Sequence, residues 1–383
     1  MTTMDTERRS SRRESDVGAN EERAGATMNI ERRSSRRESD AGANEERAGA
    51  TMSTDFVLPE ALSAHEPPEA RGVARDAVRL LVSDAEGDSH RTFADLPSLL
   101  SPGDLLVVNN SATLPAAVRL DRLFVHFSTA REDGTWLVEL RRPTLEPYAG
   151  GDEGEWLPLP GRATLRLLSR ETPRLWRASL DRDVESYLMK YGVPIRYSYV
   201  DRDWPLADYQ TVFATVRGSA EMPSAGRPFT PELVTELVSR GVRIAPITLH
   251  TGVASPEKDE PPYAERFAVP ETTARLVNLT RSEGGRVIAS GTTVVRALET
   301  AADADGQVRA ASGWTTHIVT PAAGVKAVTG LITGLHEPRS SHLMMLTAIA
   351  GEKTVARSYD AALREGYLWH EFGDSQLIVP NIR

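Results

Sequence analysis

The residues able to do chemistry concentrate in a few short segments. Ser290-Gly-Thr-Thr sets a Gly before two hydroxyl residues, a pattern that lets backbone approach a ligand. If a helix opens there, the N–H groups after Gly291, with Thr292 and Thr293, can hold a carboxylate or phosphate; a plain N-capped turn is the other reading. His250-Thr-Gly and the segment around His336 each present an imidazole among small residues, and neutral imidazole is a competent base near pH 7. His336 and His342 are six apart with Pro338 between them, which is not the spacing of a helical metal pair. The loop from Gly218 to Thr230 is rich in small residues and carries one acid, Glu221, and one base, Arg227. It reads as a binding loop, with Glu221 as a further proton acceptor if the loop folds over a ligand. Arg227 and Arg339 are candidates to meet an anionic group, or else are solvated. No Gly-Lys-Ser/Thr follows the Gly-Thr-Thr turn, and G-x-G-x-x-G and G-x-S-x-G are absent.

These segments fall where strands should end. Asp104-Leu-Leu-Val-Val-Asn-Asn reads as a short buried strand closing on Asn109 and Asn110. Val242 to Leu249 reads as a strand delivering His250, and Arg286 to Ser290 as a strand delivering the Gly-Thr-Thr turn. Helices are expected from Thr230, capped by its hydroxyl with Pro231 at the first position, and from Glu271 to Arg281. Others are expected after Gly291 through Glu299 and over Leu343 to Ala350. Such alternation implies α/β, a mixed sheet with covering helices, and sheets of this kind bind ligands beyond the carboxyl ends of their strands. Between Arg119 and Trp204 short β-type pieces recur between Gly/Pro/Asp-rich turns, as in an inserted antiparallel module. We therefore expect an α/β catalytic domain over 55–112 and 205–383, and a β-rich insert over 113–204.

Composition bounds the partners. The 383 residues carry 45 basic and 54 acidic side chains, a net charge of -9, and no Cys. Disulfides, thiolate metal sites and a Cys nucleophile are thereby excluded. Residues 1–54 contain a duplication: Glu7 to Met28 recurs as Glu31 to Met52 with one change, Val17 to Ala41. Within each copy the apolar residues are mostly Ala, with Arg and Glu interspersed, so a disordered leader is expected. It lacks a secretory apolar core, no stretch could span a membrane, and a cytoplasmic location is the expectation.

Five segments in order resemble the S-adenosylmethionine:tRNA ribosyltransferase-isomerase family of queuosine biosynthesis. They are Pro102-Gly-Asp-Leu-Leu-Val-Val-Asn-Asn; Tyr209-Gln-Thr-Val-Phe-Ala with the Gly218 to Thr230 loop; Ile247-Thr-Leu-His-Thr-Gly; Gly284-Gly-Arg-Val-Ile-Ala-Ser-Gly-Thr-Thr-Val-Val-Arg-Ala-Leu-Glu; and Leu335-His-Glu-Pro-Arg-Ser-Ser-His-Leu-Met-Met-Leu. Phe372-Gly-Asp-Ser near the end also fits. The resemblance implies a mixed α/β domain with an inserted β-barrel-like domain. It implies S-adenosylmethionine used as ribosyl donor, not as methyl donor. The 7-aminomethyl-7-deazaguanine of a tRNA wobble position attacks the ribosyl unit, adenine and methionine depart, and an epoxycyclopentanediol forms. No metal or redox cofactor is implied; S-adenosylmethionine is a substrate. The chemistry asks for a base beside the sulfonium, a cradle for the methionine carboxylate and help for departing adenine.

The resemblance and its departures set the expected roles. Gly291, Thr292, Thr293, Arg296, Glu299, His336 and Ser340 match the family pattern. Arg296 is either a substrate contact or the structural partner of Glu299. His250, His336 and Glu221 are the candidates for proton transfer; Asn109, Arg227, Arg339 and Ser340 are placed among substrate contacts. Asn109-Asn110-Ser111-Ala112-Thr113 stands where the family has Asn-Asp-Thr-Arg-Val, and Pro228 replaces a family His. The leader through Met52 is nearly neutral, with 10 basic and 11 acidic residues, so about eight negative charges lie in the folded part. A tRNA binder needs phosphate-neutralising cations. A paralogue that consumes S-adenosylmethionine with a small-molecule acceptor, and a non-catalytic ligand binder, are therefore the competing expectations; oligomeric state is left open.

Overall fold

The computed structural model describes residues 56–253 and 263–379. The duplicated leader, and with it the expectation of disorder there, lies outside the described residues.

A nine-stranded mixed sheet forms the body. Its strands run, edge to edge, Ala311–Thr315, Glu265–Val269, Arg243–His250, Leu105–Asn109, Val287–Ser290, Gly330–Gly334, Ser375–Ile378, Arg79–Ser83 and Asp88–Thr92. The four strands Arg243–His250, Leu105–Asn109, Val287–Ser290 and Gly330–Gly334 are mutually parallel neighbours. Side chains alternate across a strand, so an uninterrupted apolar run buries both of its faces. Leu105 and Val107 join a core with Ile247, Val295, Leu298 and Leu346 on one face. Leu106 and Val108 join Phe93, Phe229, Leu233 and Leu237 on the other. Helices therefore cover both sides, and the central strands read as continuous apolar segments for that reason.

The helices form where local signals place them. Pro231–Ser239 begins with Thr230 accepting from the Leu233 N–H, and it buries Leu233 and Leu237. Glu271–Ser282, Thr292–Ala301 and Ser341–Ala350 follow. A further helix, Glu352–Arg364, buries Val355, Tyr359 and Ala362 along one face and escaped the sequence reading. The strands Glu265–Val269 and Ala311–Thr315 were also not anticipated; they pair only with partners distant in sequence and extend the sheet past His250.

Between Leu105–Asn109 and the rest of the body, the chain builds a second sheet. Ala117–Arg119, Phe124–Ala130, Trp136–Arg141, Leu175–Leu180, Ala163–Arg170 and Trp156–Leu159 pair antiparallel in that spatial order, curled as a half barrel. Its core includes Val118, Phe127, Val138, Leu165 and Trp176. Val184–Tyr191, capped by Asp183, packs Tyr187 and Leu188 into it. The buried carboxylate Glu139 is held by Arg141 and Arg174, so the charge is not left unpaired. Among the described residues no helix is long and apolar enough to cross a membrane.

Candidate active site

The parallel register brings Asn109, His250, Ser290 and Gly334 to the same end of adjacent strands. Asn109 is 4% exposed, and its amide is fully engaged. Oδ1 accepts from the N–H groups of Leu249 and Ser111, while Nδ2 donates to the Leu249 carbonyl and the Thr293 hydroxyl. An amide has two donors and two acceptor positions, so none is left for a ligand. Asn109 thus braces three elements, the strand Arg243–His250, the Ser111 segment and the helix from Thr292.

His250 stands at the end of its strand with Nδ1 2.8 Å from the Ser111 hydroxyl, which lies 2.6 Å from the Ser219 hydroxyl. Ser219 in turn accepts from the Thr251 N–H at 3.1 Å. When Nδ1–H donates into this chain, Nε2 carries the free lone pair. Burial and the nearby Arg266 push the imidazole down to about 4, so it is neutral at physiological pH. The ring lies against Gly218, whose φ is +147° and where a Cβ would come within 2.6 Å of the imidazole. Only Gly permits that approach. The strand Val216–Ser219 pairs with Ser111–Thr113, which ties the small-residue loop to the end of Leu105–Asn109. Glu221 lies beside the same strand end, its carbonyl accepting from the Thr251 hydroxyl.

Gly291 has φ +104° and gives the helix Thr292–Ala301 no side-chain cap. Its own N–H is taken by the Ile332 carbonyl. The turn Ser224–Gly226 closes over it: the Ser290 hydroxyl reaches the Ala225 carbonyl at 3.4 Å. Thr292 and Thr293 therefore start a ten-residue helix, at its positive end, beside Asn109.

Arg296 and Glu299 do not pair with each other. Arg296 is 8% exposed and forms an ion pair with Glu265, with further bonds to the carbonyls of His317, Tyr263 and Thr315. Glu299 instead accepts from the N–H groups of Lys326, Ala327 and Val328 at 2.8, 3.0 and 3.2 Å. The Arg296–Glu299 pair foreseen as one alternative does not form, because the Glu265 strand, not visible in the sequence, supplies the partner. Arg227 is 2% exposed; it binds Glu69 at 2.9 Å and the Asp208 carbonyl at 3.0 Å. Its guanidinium is held inside the fold and is not a solvated cation. Arg339 is exposed, with φ +60°, and precedes Ser340, whose buried hydroxyl has no partner among the described residues.

His336 is half-buried. Its Nε2 lies 2.7 Å from the Thr333 hydroxyl, and its ring stacks on His342 at 4.4 Å. Burial holds the His336 imidazole well below the ordinary range, helped by His342 and His370. Burial and then Arg296 bring His342 down to about 4, although its side chain is exposed. His370 and Glu371 join the same region with Tyr199, whose hydroxyl donates to the Glu371 carboxyl. Burial raises the Glu371 carboxyl. These three, and the serines beside His250, were missed by the sequence reading. Tyr199 and Glu371 are 172 positions apart, and no local spacing links them.

The chain as a whole is similar to known proteins. The family model described as "Queuosine biosynthesis protein" matches residues 51–378. An S-adenosylmethionine:tRNA ribosyltransferase-isomerase from Moorella thermoacetica is 40% identical over 351 residues, covering 85% of this chain and 98% of the relative. The protein of the same name from Acidiphilium cryptum is 39% identical, covering 85% and 97%. A crystal structure of an S-adenosylmethionine tRNA ribosyltransferase from Thermotoga maritima superposes with TM-score 0.50 at 29% identity, covering 85% of this chain and 99% of that one.

Proposed function

The chain belongs to the queuosine biosynthesis protein family, and we propose that it transfers and isomerises the ribosyl moiety of S-adenosylmethionine onto 7-aminomethyl-7-deazaguanine in tRNA. Epoxyqueuosine is the product, with adenine and methionine released. The observation that carries this reading is the convergence of His250, the Gly291 turn and the His336 segment at one edge of four parallel strands, within a chain similar to ribosyltransferase-isomerases over nearly their whole length.

Roles follow from the geometry. The N-terminal end of Thr292–Ala301 offers the N–H groups of Thr292 and Thr293 and a positive dipole to the methionine carboxylate. His250 and His336 are neutral imidazoles at the cleft, and each is oriented by a hydroxyl, Ser111 and Thr333. One of them accepts the acidic proton beside the sulfonium, with Glu221 adjoining on the loop. The low proton affinity of both rings keeps them unprotonated when the cationic sulfonium arrives. Arg296, Arg227 and Asn109 hold the walls: they position the strand ends and the loop and do not touch the substrate. S-adenosylmethionine is consumed as a substrate, and tRNA is the macromolecular partner.

The test is chromatography with mass detection on the purified protein incubated with S-adenosylmethionine, with and without tRNA bearing 7-aminomethyl-7-deazaguanine. Adenine and methionine released only with that tRNA, and a matching mass gain on the RNA, support the reading. Turnover without RNA, or no turnover in either tube, refutes it.

A further inference from the structure

Tyr199, His370, Glu371 and their neighbours form a cluster that the roles above leave unused. The Tyr199 and His370 rings stack at 3.9 Å with an interplanar angle of 11°, and Tyr197 lies parallel to Tyr199 at 5.7 Å. His370 has φ +74°, a left-handed backbone that costs a non-Gly residue about 1–3 kcal/mol and that tends to be retained at ligand sites. Two donors nearby lack partners. Tyr209 is 4% exposed and its hydroxyl has no partner among the described residues, nor has the buried indole N–H of Trp204; both residues pack with Phe372 and Tyr199 in one small cluster. The Tyr209 hydroxyl is within electrostatic reach of Glu371. Buried donors in folded proteins are nearly always satisfied, so two orphans in one cluster call for an acceptor from outside the chain. Glu371 and His370 are each partly exposed and border a small cavity with Ser224, Arg227 and Gly334.

We infer that Glu371, Tyr199 and His370 form a base-reading subsite, in which the Glu371 carboxyl takes the N1–H and 2-amino edge of a guanine-type heterocycle lying against the aromatic platform. This assignment rests on the proposed function and deepens it by naming what discriminates the acceptor base. A carboxyl accepts two parallel N–H bonds from a 2-amino-4-oxopyrimidine edge, whereas adenine offers no such donor pair. Flat rings supply stacking for a base splayed out of its strand, as single-stranded RNA recognition requires. The unpartnered donors of Tyr209 and Trp204 suit the acceptor atoms of such a heterocycle.

Calorimetric binding to the full chain tests this, with the free base 7-aminomethyl-7-deazaguanine and its analogue lacking the 2-amino group as probes. The wild-type protein is expected to bind the full base at least about tenfold more tightly than the analogue. Glu371→Gln, which places an amide donor against one N–H, should bring the two affinities within about twofold while S-adenosylmethionine affinity stays within about twofold of wild type. Equal binding of both bases by the wild-type protein overturns the inference without any variant, as does binding of neither. Retained discrimination in Glu371→Gln overturns it too, and so does a loss confined to S-adenosylmethionine, which would assign the carboxyl to adenine. RNA-dependent turnover is read separately. Discrimination without turnover sinks the proposed reaction and leaves the subsite standing, and turnover without discrimination does the reverse.

Discussion

Replacing Glu299 probes the step from a buried hydrogen-bond count to a stability. One carboxylate oxygen accepts from Ala327 and Val328, and the other from Lys326. Ala327 and Val328 are buried, so water cannot reach their N–H groups after truncation. Each buried donor left unsatisfied costs about 1–3 kcal/mol, which puts Glu299→Ala at about 2–6 kcal/mol; exposed Lys326 adds little, because water can reach its N–H. Glu299→Gln behaves differently. Its single carbonyl oxygen can keep Ala327 and Val328, and only Lys326 then faces an amide donor, so about 1–2 kcal/mol is expected. For a chain of this length about 1 kcal/mol corresponds to roughly 1.5 °C, so Ala should lower Tm by about 3–9 °C and Gln by about 1.5–3 °C. Thermal unfolding followed by circular dichroism, with urea midpoints at 25 °C as a second reading, measures both. A Gln variant as unstable as the Ala variant would refute the reasoning, and so would an Ala variant within about 1 kcal/mol of wild type. The segment held by Glu299 leads into the strand that ends at Gly334, just before His336, so the same variants report how firmly that side of the cleft is anchored.

His250→Ala is expected to lower kcat by about 10²–10⁴ with S-adenosylmethionine affinity little changed where His250, of the two candidate imidazoles, takes the proton; wild-type turnover in this variant would remove His250 from the mechanism and leave His336. Gly218→Ala should lower kcat in the same direction by displacing that ring, because its Cβ would sit 2.6 Å from the imidazole; an unperturbed rate would show the contact to be irrelevant. Gly291→Ala meets no close neighbour but forces Ala to φ +104°, at about 1–3 kcal/mol, and should weaken S-adenosylmethionine binding by turning the helix end. Unchanged affinity by titration would argue against an anion site there. His126 is buried, and burial followed by Arg141 and Arg119 depresses its imidazole to about 3. The unfolded chain takes up that proton near pH 6.5 and the folded chain does not, so the stabilisation is complete above about 6.5 and is lost as pH falls toward 3. Between pH 7 and 5 this one group accounts for about 2 kcal/mol, and His126→Gln should reduce the fall in urea midpoint accordingly; an identical pH dependence in both proteins would contradict it.

Local pattern and tertiary context divided the outcome according to the range of the interaction. Thr230 with Pro231, the apolar run Leu105 to Val108, and Gly291 before two threonines each carry their signal within a few residues, because capping, alternate-face burial and positive φ are properties of short segments. Those segments were enough to read the α/β class, the antiparallel pieces between Arg119 and Trp204, and the placing of His250 and the Gly-Thr-Thr turn at strand ends. Their order along the chain also carried the family. Partner choice was different. Arg296 has Glu299 one turn away on its own helix, and spacing alone favours that pair. The fold instead sets Glu265 against Arg296 from a strand 31 positions away and turns Glu299 toward the 326–328 backbone. Arg227 and Asn109 look like ligand contacts until packing buries them and saturates their hydrogen bonds. The cleft itself, with His370, Glu371 and Tyr199 drawn together from distant segments, exists only once the sheet is assembled. A sequence states what each residue can donate, accept or bury; which of its many possible partners it meets is decided by the lowest-energy arrangement of the whole chain.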